Sequence, residues 1–217
     1  MPHMRIDFIS DVVCPWCAIG LHSLEAAAAR IPGLVLDLHF HPFELNPDMG
    51  PEGQDIEEHL AQKYGANVAQ LAGTRQAIRE RGAALGFEFR MEARSRIYNT
   101  LDAHRLLHWA GESFGAPLQR ALKGALLKAY FTDGRNVSDP AVLLDIATAS
   151  GLPEAQARQL LATDRYQAEV RDAEAQVQAQ GIHSVPAIVV NQRHLIQGGQ
   201  SVEVFEQLLR QVLAEPS

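Results

Sequence analysis

The sequence predicts an α/β protein whose mixed sheet is split along the chain by a large all-helical insertion. Three observations carry this prediction. Residues 1–50 read strand, helix, strand; the chain from about residue 54 to about 163 carries helical spacing; and residues 164–217 read helix, strand, strand, helix. The two ends, joined across the insertion, supply one sheet with helices on both faces. The expected division is a discontinuous α/β domain, 1–50 with 164–217, and a helical insertion domain, 51–163.

"RIDFISDVV" is apolar and β-branched at alternate positions, which predicts a buried strand running into the chain's two cysteines, Cys14 and Cys17. Pro15 then fits a first helical position, strong helix formers follow, and Pro32-Gly33 ends the helix. "LVLDLHFHPFEL" sets Val35, Asp37, His39 and His41 against Leu36, Leu38 and Phe40, a second strand stopped by Asn46-Pro47. Inside the helical block, breaks are expected at Gly65, Gly86, Gly111, Gly134 and Gly151, with Ser138 before Asp139-Pro140 as an N-cap. Leu122, Leu126, Leu127 and Tyr130 share one helical face and read as core. After the helix "DRYQAEVRDAEAQVQAQG", the segments "VPAIVV" and "RHLIQ" form strands joined at Asn191-Gln192, and "SVEVFEQLLRQVL" closes the chain as a helix.

Composition narrows the function. The net charge of -7, from 19 Lys+Arg against 26 Asp+Glu, repels phosphate backbones, so no nucleic-acid partner is expected. No apolar run reaches the ~18 residues that span a bilayer, and "MPHMRIDFIS" lacks a signal's basic and apolar regions, so the expectation is a cytoplasmic protein with no membrane partner. In a reducing compartment a close cysteine pair reads as catalytic sooner than structural.

"DVVCPWCAIG" places Cys14 at the start of a helix, where unpaired backbone N–H groups and the helix dipole favour a thiolate. Cys17 lies one turn along the same face, within reach of a small disulfide ring and more enclosed by the helix. Cys14 is thus the expected nucleophile and Cys17 the resolving thiol. A C-x-x-C pair also serves as half of a zinc site, but here zinc would need histidine ligands or a second subunit, and a structural disulfide over so short a loop removes little chain entropy.

The motifs "DFISDVVCPWCAIG", "NTLDAHRLLHWA", "ALLKAYFTDGRNVSDPAVLLDIA" and "HSVPAIVVNQRHLIQGGQSVEVFEQLLRQV" span nearly the whole chain. In them the chain resembles the DsbA-type thioredoxin-fold superfamily, most closely its FrnE-like branch. The resemblance implies a thioredoxin fold with a helical insertion and a thiol-disulfide oxidoreductase acting on protein or peptide thiols. It implies no bound cofactor or metal beyond the Cys14-Cys17 disulfide, with glutathione a candidate co-substrate. Val185-Pro186 would be the cis-proline loop, Val185 offering backbone groups to an extended substrate. Pro15 and Trp16 would border the substrate, and Asn99 and His104 would lie on a helix lining its cleft. DsbA-type oxidants commonly carry His between the cysteines; Trp16 adds no charge there, which implies a less oxidising couple.

The related 2-hydroxychromene-2-carboxylate isomerases and kappa-class glutathione transferases give the alternative, a glutathione-dependent isomerase or transferase. Those relatives typically have serine at the position of Cys14, and an isomerase has no use for Cys17. A non-catalytic binding module is a third reading. His104 and His108, at i and i+4, have a metal-ligand spacing without an H-E-x-x-H motif, so an ordinary histidine pair is expected. Asp133-Gly134 reads as a turn. Monomer and homodimer are equally compatible with the sequence.

Overall fold

A computed structural model of the protein describes residues 2–65 and 68–215. Its four-stranded sheet has the order β2-β1-β5-β6, built from β1 (His3–Ser10), β2 (Val35–Pro42), β5 (Ala187–Val190) and β6 (His194–Gln197). β1 pairs parallel with β2 and antiparallel with β5. The register sets Ser10 opposite Pro42 and Ile9 opposite Ala187. Three chain segments therefore leave the sheet side by side: the one entering Cys14, the one after Pro42 and the one ending at Pro186. Asn191 and Gln192 both have positive φ, 50° and 57°, in the three-residue turn between paired Val190 and His194, which the Arg193 N–H closes on the Val190 carbonyl at 3.1 Å.

The helix α1 (Pro15–Ala29) begins directly after Cys14 and packs against the last helix, α9 (Val202–Ala214). Between β2 and β5 lie α2 (Ile56–Tyr64), α3 (Val68–Ala84), α4 (Leu101–Phe114), α5 (Ala116–Phe131), α6 (Pro140–Ala149), α7 (Glu154–Leu161) and α8 (Gln167–Ala179). The intervening block is not purely helical. Gln54–Asp55 (β3) and Arg96–Ile97 (β4) pair as a two-stranded ribbon, too short to show an alternating pattern in sequence. Phe8, Leu21, Leu106, Leu127 and Tyr130, from sheet and helices alike, share one continuous core.

Two local expectations shift. Gly111 lies inside α4, and the break comes at Gly115, whose φ of 86° suits glycine. Gly111 instead admits Gln119: a Cβ there would lie 2.7 Å from the Gln119 Nε2. The cap of α6 is Asp139, not Ser138; its Oδ1 accepts from the Ala141 N–H, and Pro140 takes the first helical position.

Gln119 also solves the edge-strand problem of β2. From α5 its Oε1 accepts from the Phe40 N–H at 3.0 Å, while its Nε2 donates to the Phe40 carbonyl at 3.2 Å and the Leu107 carbonyl at 3.1 Å. One buried amide thus does for Phe40 what a neighbouring strand would do. Replacing Gln119 by leucine orphans both buried groups of Phe40 and is expected to cost about 2–4 kcal/mol, which chemical denaturation would measure.

Candidate active site

Cys14 is the N-cap of α1, extended at φ -94° and ψ 113°, so its side chain stands at the mouth of the helix while its carbonyl begins the helical ladder through Cys17 N at 3.1 Å. Both thiols are free. Cys14 retains 4% of its surface and Cys17 none. The Cys14 Sγ donates to the Val185 carbonyl at 3.9 Å, across the cis Val185-Pro186 bond's loop. Cys14, Pro15, Trp16, Val185 and Pro186 thus gather in one place, as the resemblance implies.

Trp16 is half-buried, with the Arg81 guanidinium of α3 5.3 Å from its ring centre; Arg81 also donates to the Gly199 carbonyl at 2.7 Å. Gly199 lies against the backbone of the same turn, since a Cβ there would sit 2.7 Å from the Trp16 carbonyl oxygen. Helix α1, the loop after β6 and α3 meet at this tryptophan.

Behind the thiols lies a polar cluster. The carboxylate of Asp11, fully buried, accepts from the Val12 N–H at 2.7 Å, the Leu45 N–H at 2.8 Å and His104 Nε2 at 3.2 Å. Burial raises its pKa, but the His104 hydrogen bond and charge, the Leu45 N–H and the charge of Lys123 outweigh that and leave it below the ordinary value. Burial pushes the Cys17 thiol well up, reinforced by the neighbouring Cys14 and opposed by the charge of Lys123. Lys123, 1% exposed, is driven down by burial against the pull of Cys17, Asp11 and Cys14. Its Nζ makes no hydrogen bond.

His104 is 2% exposed and held in this cluster by Asp11. Asn99 is half-buried; its Oδ1 accepts from the Leu101 N–H at 2.9 Å and its Nδ2 donates to the Met49 carbonyl at 3.1 Å, which is a helix cap and a loop anchor. Sequence reasoning passed over Asp11, Lys123, Glu44 and Arg81. Lys123 had a readable signal, a lysine inside the apolar stripe Gln119, Leu122, Leu126, Leu127, Tyr130.

The residues match the description "DSBA-like thioredoxin domain" over residues 5–210. The chain belongs to the DsbA-like thioredoxin family. Within it, a probable DsbA oxidoreductase from Streptomyces coelicolor is 33% identical, with a TM-score of 0.89 over 99% of this chain and 92% of that one. The protein YwbO of Bacillus subtilis is 25% identical over 95% of this chain and 96% of its own. The cytosolic disulfide reductase DsbM of Pseudomonas aeruginosa, solved with glutathione, shares the fold at 19% identity and a TM-score of 0.67, covering 97% of this chain and 100% of that one.

On the other flank of the site, Glu44 follows β2 with its side chain buried. Its N–H donates to Glu174 Oε1 at 2.8 Å, and Arg171 bridges Glu44 and Glu174. This ties the segment after β2 to α8, which leads to the cis-proline loop. Burial first, then the charge of Glu174, raises Glu44 from 4.5 to about 8, against the pull of Arg171. A carboxyl with a raised folded-state pKa binds its proton more tightly in the native state, so its contribution to stability is present below 4.5 and is lost as pH rises to about 8. Relative to Glu44→Gln, the native protein should lose stability as pH rises through that window, read from unfolding curves at stepped pH.

Proposed function

We propose that this DsbA-like protein is a thiol-disulfide oxidoreductase exchanging disulfides with protein or peptide thiols through Cys14 and Cys17. The observation that carries the reading is the asymmetry of the pair: Cys14 caps the helix and meets the Val185 carbonyl with 4% of its surface still open, whereas Cys17 is fully sealed below it, under the charge of Lys123.

In the reductive direction the Cys14 thiolate attacks one sulfur of a substrate disulfide; a Cys14-substrate mixed disulfide forms and the other substrate sulfur leaves as a thiolate. Cys17 then gives up its proton, and its thiolate attacks the Cys14 sulfur. The Cys14-Cys17 disulfide forms and the second substrate thiolate departs. Two electrons have moved from the enzyme dithiol to the substrate. The oxidative direction is the same path reversed, with the substrate dithiol as reductant. The charge of Lys123 offsets the penalty that burial imposes on the Cys17 thiolate, the least favourable species on the path. In this reading Val185, whose carbonyl meets the Cys14 Sγ, offers its backbone to an extended peptide by strand addition. Glutathione fits as a small thiol co-substrate, and a cytoplasmic setting suits the uncharged Pro15-Trp16 dipeptide.

Retention of Cys17 favours this reading over a glutathione-dependent isomerase, which would need only the first position. In glutathione redox buffers, mass analysis after alkylation should show a reversible two-electron transition in the native protein. Cys14→Ser should abolish exchange, and Cys17→Ser should accumulate a mixed disulfide at Cys14. Free thiols across the whole buffer series would overturn the proposal.

A further inference from the structure

Arg81 stands at the thiol site as a cation without an acidic partner among the described residues. Half-buried on α3, it sets its guanidinium 5.3 Å from the centre of the Trp16 ring and donates from Nη2 to the Gly199 carbonyl at 2.7 Å. A guanidinium has five N–H donors, and among the described residues this is the one hydrogen bond that Arg81 makes. The acids close to it in sequence are engaged elsewhere: Glu80 accepts from Gln76 at 2.6 Å, and Glu88 pairs with Arg90 at 2.9 Å.

Both contacts hold the group beside the reacting loop. Trp16 lies between the two cysteines, and the Gly199 backbone rests against the Trp16 carbonyl. A Cβ at Gly20 would meet Pro186 Cγ at 3.2 Å and Gly199 Cα at 3.3 Å, so the segment that anchors Arg81 packs beside the cis-proline against the start of α1. The ring and the Gly199 bond together fix the guanidinium in place, leaving its other N–H groups for an acceptor that arrives from outside. Donors fixed in advance lose little freedom on binding, and the planar fork matches a carboxylate. The chain's net charge of -7 opposes an approaching anion, so a preference for one has to come from a cation placed at the site.

We propose that Arg81 is a specificity determinant of the exchange reaction, selecting peptide substrates in which an aspartate or glutamate flanks the reacting cysteine. The inference rests on the oxidoreductase reading above and adds the substrate class to it. With an extended peptide paired to Val185, the peptide sulfur lies at Cys14, and a neighbouring carboxylate reaches over Trp16 to the guanidinium held there.

The test is the single-turnover reaction of the reduced full chain with three capped peptide disulfides, homodimers of Gly-Gly-Cys-Xaa-Gly in which Xaa is glutamate, glutamine or lysine, quenched by alkylation and read by mass. Each reaction oxidises Cys14 and Cys17 to their disulfide and releases two peptide thiols. Rates are taken relative to that of dithiothreitol with the same peptide, which removes intrinsic differences in reactivity. Below saturation the glutamate peptide is expected to react about threefold or more faster than its glutamine isostere, through a lower half-saturating concentration and not a higher limiting rate, and the lysine peptide more slowly than either. The glutamate-to-glutamine ratio should fall to about one in Arg81→Met and stay above one in Arg81→Lys, which keeps the charge. Because the ratio is taken within each protein, a general loss from looser packing at Trp16 leaves it unmoved. A ratio of one in the native protein, or an unchanged ratio in Arg81→Met, overturns the inference and leaves the oxidoreductase reading standing. No reaction of the native protein with any of the three peptides overturns that reading and this inference with it.

Discussion

The buried carboxylate of Asp11 is the constraint on which the site depends. Its three acceptor contacts come from the turn after β1, the segment after β2 and helix α4, which are distant in sequence. A buried charge is tolerable only when its oxygens are satisfied, and each contact here also fixes a wall of the site. Val12 lies two residues before Cys14, Leu45 adjoins the Glu44-Glu174 link to α8, and His104 brings the helical block against the sheet. Removing the carboxylate would therefore loosen three segments together.

Much of this was legible before any coordinates. The Cys14 to Cys17 spacing, the proline after the first cysteine and the alternation in β1 and β2 are local signals, and local physics reads them. A mixed sheet followed once the two chain ends were joined, whereas its strand order came from the structure. The polar cluster was not legible, because Asp11, His104 and Lys123 are single residues in three separate segments with no motif of their own. Gly111 shows a different limit. Glycine serves turns and close packing alike, and only the position of Gln119 distinguishes the second use from the first. His104 shows the same limit, since the sequence sets it on a helix without indicating that its partner is Asp11.

The thiols and the helical block are coupled through contacts of different character. On one side Arg81 joins α3 to Trp16 and Gly199 at the protein surface. On the other, Lys123 reaches the thiols from below through charge, and His104 holds Asp11, in a medium that screens charge weakly. The insertion thus shapes both the surface around Trp16 and the electrostatics of the buried sulfur. Arg105 steadies that arrangement: 3% exposed, it donates to the carbonyls of Leu160, Thr163 and Arg165, holding α4 against the turn that leads into α8.

The amide of Gln119 has a meaning for how copies of this molecule meet. A sheet can be extended only along a margin whose backbone groups are unclaimed. At β2 the groups of Phe40 are claimed by α5, and α4 and α8 pack over the same strand. The opposite margin, β6, is four residues long and turns Leu195 toward solvent. At Phe40 another chain therefore finds no free backbone group on the β2 margin, and pairing of copies through the sheet falls first to β6.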